Sequence, residues 1–165
     1  MAIAGTSTDY TGRQLDLELL QSIANPVGSQ AVSVSTVQKP PKVVTGVEKL
    51  VQRYALLFLT VRGELVYDIM QGTDFIQAML MGSIQDQAAL QAQFAAANEL
   101  VLGQLQQDDD AVTTFGQPPD DELIASVQLL DSTIDYATAT VMLSIELTTR
   151  AGTSVTFVLP ATTIR

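Results

Sequence analysis

The sequence contains no cysteine, no histidine and no tryptophan. Without cysteine there are no disulfides and no thiol chemistry, and the redox compartment leaves no mark on the chain. Without histidine the commonest general base and the commonest zinc ligand are both missing. Basic residues are scarce, eight against 18 acidic ones, giving a net charge of -10. The deficit is concentrated in the second half, because positions 83–165 hold only Arg150 and Arg165 as cations. Nucleic-acid binding needs basic patches to neutralise phosphates, so it is not expected. An acidic surface suits solubility or a basic protein partner. The apolar run Ala55–Leu59 is far too short to span a bilayer, and MAIAGTSTDYTGRQ lacks the pattern of a secretory leader.

What remains is a chain of 165 residues, 47% apolar, enough for one domain with a sizeable core of Leu, Ile, Val, Ala and Met. Positions 1–42 carry too little apolar material to fold alone and read as an arm ordered by a partner. Leu15, Leu19, Leu20 and Ile23 share a helical spacing with Leu17 slightly off it, while the alternation of Leu15, Leu17 and Leu19 also permits a strand. These five residues are the expected docking surface of the arm. Val32, Val34 and Thr36 alternate in a further extended segment, and Lys39-Pro40-Pro41-Lys42 is a stiff break before a domain spanning 43–165.

The domain begins with helical patterning. Thr45 and Glu48 have capping-box spacing ahead of a helix from Gly46 to Thr60, with Gly63 as its stop. A short helix from Gly72 or Thr73 to Met81 and a long one from Ser83 or Asp86 to about Gln106 follow. Beyond Pro118-Pro119 the period changes to two. Strands are expected at Leu123–Leu130, Ala137–Thr148 and Ser154–Leu159, the last two joined by a turn at Ala151-Gly152-Thr153. About three helices followed by a small antiparallel sheet of about three strands, behind an extended N-terminal arm, make an α+β fold.

Two features invite chemistry. Glu64 and Asp68 are a carboxylate pair four residues apart, the kind that serves as acid and base in glycosidases. The plainer reading makes them solvated turn residues, with Thr73 capping the second helix and Phe75 entering the core. Asp108-Asp109-Asp110 and Asp120-Asp121-Glu122 supply oxygen ligands but lack a calcium-loop spacing with a central glycine. They read as solvated acidic loops. No metal or cofactor is expected.

The order Gln52, Leu59-Thr60, Gly63-Glu64, Asp68, Gly72-Thr73 and Phe75 resembles the baseplate-wedge, sheath-initiator family of contractile phage tails, long labelled lysozyme-like. The resemblance spans about 44–160 and includes the order of helices then hairpin. It implies a non-enzymatic virion component made in the host cytoplasm, in six copies per tail, contacting the sheath protein, wedge proteins and tube or hub proteins. It also implies an open sheet edge to which the first sheath ring adds strands, giving Val155, Phe157 and Leu159 as partner-binding residues; the β-prone, uncharged stretch 153–159 fits either such an edge or a strand buried in the chain's own sheet. Thr60, Gly63, Glu64, Asp68, Gly72, Thr73 and Phe75 are the structural motif. The Glu-Pro-Arg step by which the family grips the wedge is replaced here by Gln117-Pro118-Pro119-Asp120-Asp121-Glu122-Leu123, so that contact does not carry over. A peptidoglycan-cleaving enzyme using Glu64 and Asp68, or a general binding module with a free sheet edge, are the alternatives.

Overall fold

The computed structural model describes residues 16–17, 19–24, 30–34, 43–112 and 118–162, without the side chains of 20–24, 30–34, 111 and 112. Leu15 and Gln117 lie outside the described residues, as do Thr36 and Lys39-Pro40-Pro41-Lys42. The elements run β1 (Asp16–Leu17), β2 (Leu20–Ala24), β3 (Gln30–Val34), β4 (Val43–Val44), α1 (Gly46–Leu59), α2 (Phe75–Leu80), α3 (Gln87–Val112), β5 (Ile124–Asp135), β6 (Thr140–Thr149) and β7 (Ser154–Thr162). The expected α+β class is correct.

Strict alternation builds the sheet. In β6, Val141, Leu143, Ile145 and Leu147 are buried while the residues between them are half-exposed, so one face turns inward. Phe157, Leu159 and Ala161 of β7 extend that apolar face. The helices lie against it. Leu50, Tyr54 and Phe58 from α1 meet Phe75 from α2 and Leu90, Phe94, Val101 and Leu105 from α3. The rings form a chain: Phe58 lies 4.9 Å from Phe75 and 5.6 Å from Phe94, and Tyr54 meets Phe157 edge-on at 6.1 Å. Each such side chain contributes about 1.5–3 kcal/mol by leaving water. Burial pushes the Tyr54 phenol far above its ordinary pKa, and its hydroxyl donates to Asn98 Oδ1 at 2.9 Å.

The helix ends differ from expectation. Thr45 occupies the N-cap of α1 but its side chain makes no capping bond. The Glu122 carboxylate takes that place, accepting from the Gly46 amide at 3.3 Å. Asp86 opens α3, accepting from the Ala89 amide at 2.7 Å. That helix does not stop near Gln106. It carries Asp108, Asp109 and Asp110 within it, because Arg53 on α1 pairs with Asp109 at 3.0 Å and Asp108 at 3.3 Å. β5 runs to Asp135, well past Leu130, and its turn into β6 is held by Asp135. That carboxylate accepts from the Thr138 hydroxyl and the Ala137 and Thr138 amides, which hold its pKa below the usual value.

The sheet has five strands in the order β2-β3-β7-β6-β5. β5, β6 and β7 form an antiparallel meander. β3 joins β7 in parallel, with Ala31 opposite Val158, and β2 forms a hairpin with β3. A second, two-stranded sheet pairs β1 with β4.

Candidate functional site

The crossing of the chain between Thr60 and Phe75 is built from backbone and neutral side chains. The last turn of α1 closes where the Thr60 amide and hydroxyl both donate to the Leu56 carbonyl, at 2.9 and 2.7 Å. The chain then crosses itself: the Thr73 amide donates to the Thr60 carbonyl at 2.8 Å, and the Arg62 amide to the Thr73 carbonyl at 3.1 Å. Gly72 is required here. It has φ +96, and a Cβ would stand 2.5 Å from the Thr60 carbonyl oxygen. Gln104 of α3 clamps the same point, accepting from the Gly72 amide at 3.1 Å and donating to the carbonyls of Gly72 and Met70.

Gly63 does not end α1, which stops at Leu59; it lies in the turn that the Glu64 amide closes on the Val61 carbonyl. Asp74 occupies the N-cap position of α2 but makes no side-chain capping bond, and the Thr73 hydroxyl receives the first amide of that helix instead. The Thr73 side chain is fully buried, donating to the Phe58 carbonyl at 2.7 Å and accepting from the Phe75 amide at 3.3 Å. Phe75 enters the core as expected. Glu64 is exposed, and Asp68 is half-exposed with its Oδ1 accepting from the Met70 amide at 3.1 Å.

The strand expected to face a partner is interior to the sheet. β7 is paired with β6 along its length and meets β3 on its other side. Phe157 and Leu159 are buried, and Val155 packs half-buried against the same core. The expectation that these three side chains contact a partner is therefore corrected: alternation places them on the inward face. Among the described residues the strands with one neighbour in the five-stranded sheet are β2 and β5. β5 is much the longer, at 12 residues, and it is bulged at Ala125 and at Leu130, each skipped in the register with β6.

The described residues of the arm pack against the domain. Gln52, almost fully buried on α1, donates to Asp16 Oδ2 at 3.1 Å and the Leu17 carbonyl at 2.8 Å, and accepts from the Leu19 amide at 2.7 Å. Leu17 is exposed and Leu19 half-buried, while Leu20 and Ile23 contribute backbone to β2. Among the described residues, β1 pairs with β4 and β3 with β7, so these segments share sheets with the domain beyond position 42.

The buried carboxylate lies elsewhere. Glu122, at the end of the supposed solvated loop, pairs with Lys49 at 3.1 Å, both side chains withdrawn from solvent. Sequence reasoning passed over this pair. The available signal was α1 itself, which places Lys49 next to core Leu50 and carries few charged residues in its 14. Among the described residues no group of acidic side chains is arranged to hold a metal ion.

Comparison with protein-family models, with characterised proteins and with solved structures returns no match for this chain.

Proposed function

We propose that this chain is a structural, non-catalytic component of a contractile-tail baseplate that initiates the sheath by strand addition. The observation that carries the reading is the outer edge of β5, which has β6 as its sole strand neighbour among the described residues. Backbone groups on such an edge give affinity to an incoming strand, and alternate side chains give register. The resemblance of Leu59-Thr60, Gly63-Glu64, Asp68, Gly72-Thr73 and Phe75 to the sheath-initiator family supplies the biological setting. In that setting the partners are sheath, wedge and tube or hub proteins, with six copies per virion. Strand addition falls to β5, since β7 is already paired on both sides.

The test is co-assembly with sheath subunits of the same tail, imaged by electron microscopy. Ala125→Pro and Leu130→Pro place proline at the two bulged positions of β5, which have no Cα partner in the register with β6, and a thermal melt checks that the variant stays folded. Wild type is expected to nucleate short sheath rings and the folded double variant to fail. Equal nucleation by both would move the contact off β5. Release of peptidoglycan fragments by wild type but not by Glu64→Gln would replace the reading with an enzymatic one.

A further inference from the structure

The outer edge of β5 is not uniform along its length. Its outward groups follow from the ladder. The Thr149 amide donates to the Thr153 carbonyl across the turn into β7. Backbone direction alternates along an antiparallel strand, so odd-numbered residues of β6 address β7 and even-numbered ones address β5. The β5 residues opposite those even positions are Ser126, Gln128, Asp131, Thr133 and Asp135. Val127, Leu129, Ser132 and Ile134 stand between them, so their amides and carbonyls point away from β6. A strand added to this edge must pair with these groups.

At Ser132 they are already taken. Its amide donates to Asp131 Oδ1 at 2.8 Å, and its carbonyl accepts from Gln87 Nε2 at 3.2 Å. The same nitrogen donates to the Ser132 hydroxyl. Gln87 is the first residue of α3, and the segment before it is tied to the same end of the strand. There the Tyr136 hydroxyl, just beyond β5, donates to the Gln85 carbonyl at 2.9 Å. At Val127 and Leu129 no side chain or loop among the described residues bonds the outward groups.

Sheets blunt their edges to prevent unwanted pairing, and here the blunting sits at one end of the strand. We infer that Asp131 and Gln87 form a register stop, which confines strand addition to positions 124–130 with Val127 and Leu129 as the pairing residues. The stop rests on the strand-addition reading of β5 and specifies its register. A slip of two residues keeps every side chain on its own face, so alternation alone does not exclude it. The occupied groups at Ser132 do, because an incoming strand would have to displace both bonds, and each hydrogen bond lost lowers affinity roughly two- to tenfold. The partner therefore contributes a short extended segment to this edge, shorter than the 12 residues of β5.

Amide exchange resolved to single residues tests the stop on the full chain, alone and with sheath subunits of the same tail. In the free chain the Ser132 amide is expected to exchange roughly two- to tenfold more slowly than those of Val127 and Leu129, after correction for intrinsic rates. Asp131→Ala should erase that difference, and Asp131→Asn, which retains an acceptor oxygen, should keep most of it. With sheath subunits Val127 and Leu129 are expected to gain about tenfold or more in protection, and Ser132 to gain none. Gln87→Ala with Asp131→Ala, both at exposed positions, should let the gain spread to Ser132. Gln87→Glu, which replaces the donor nitrogen by oxygen, is a second variant should a thermal melt show the first unfolded. Three results would overturn the stop while leaving strand addition standing: a free-chain Ser132 as fast as Val127 and Leu129, a Ser132 that gains protection with them in the wild-type mixture, or a variant whose gain still ends at Leu129. No gain anywhere in β5 would defeat strand addition itself, and the stop with it.

Discussion

The two ends of α1 each have a glutamate nearby, and they use it in opposite ways. At the N-terminus Glu122 is buried, accepts from the Gly46 amide and pairs with Lys49. Past the C-terminus Glu64 stands in water. Helix electrostatics accounts for the difference. Free amides and the positive end of the dipole receive an anion at the first turn, whereas the last carbonyls repel one. The C-terminal end is closed instead by neutral donors, the Thr60 amide and hydroxyl on the Leu56 carbonyl and the Thr73 hydroxyl on the Phe58 carbonyl. A carboxylate pair conspicuous by spacing is thus the solvated one, and the carboxylate inside a run of acids is the structural one.

Removing one half of the buried pair is the largest break in that contrast. Glu122→Ala takes a buried carboxylate away from the Lys49 ammonium and is expected to destabilise the fold by about 3–5 kcal/mol in urea unfolding. Joint replacement by Lys49→Met and Glu122→Leu should recover most of the loss. Next comes the glycine contrast within the opposite end. Gly72→Ala combines a left-handed φ with a clash on the Thr60 carbonyl and should cost about 3 kcal/mol. Gly63→Ala, with open space around its Cβ, should cost only the conformational penalty of about 1–2 kcal/mol. Smallest is Glu64→Gln, expected to shift stability by less than about 0.5 kcal/mol, as at other exposed sites. A loss like that of Glu122→Ala would show that the two ends are not opposed as described.

Local periodicity made the three helices and the β5–β6–β7 meander legible, because each element writes its own period into consecutive residues. Phe75, Leu90, Phe94, Val101 and Leu105 were correctly readable as core for that reason. What escaped was nonlocal. The parallel contact of Ala31 with Val158 joins positions far apart in the chain, and no local pattern announces it. Hence β7 could be read from sequence either as an interior strand or as a free edge. Lys49 with Glu122 and Gln52 with Asp16 are likewise pairings between distant segments, made by side chains whose types usually denote surface. Arg53 extended α3 beyond its expected end for the same reason. The leucines of the arm permitted helix or strand, and strand prevailed where backbone partners in β3 and β4 were available.

Amide hydrogen exchange on the chain, alone and mixed with sheath subunits, tests strand addition at β5 most directly. The account predicts that amides within Ile124–Asp135 gain protection when sheath subunits are added, while those of Ser154–Thr162, already paired, do not change. Protection that appears at Ser154–Thr162 with loss of protection in Gln30–Val34, or no change along Ile124–Asp135, would contradict it.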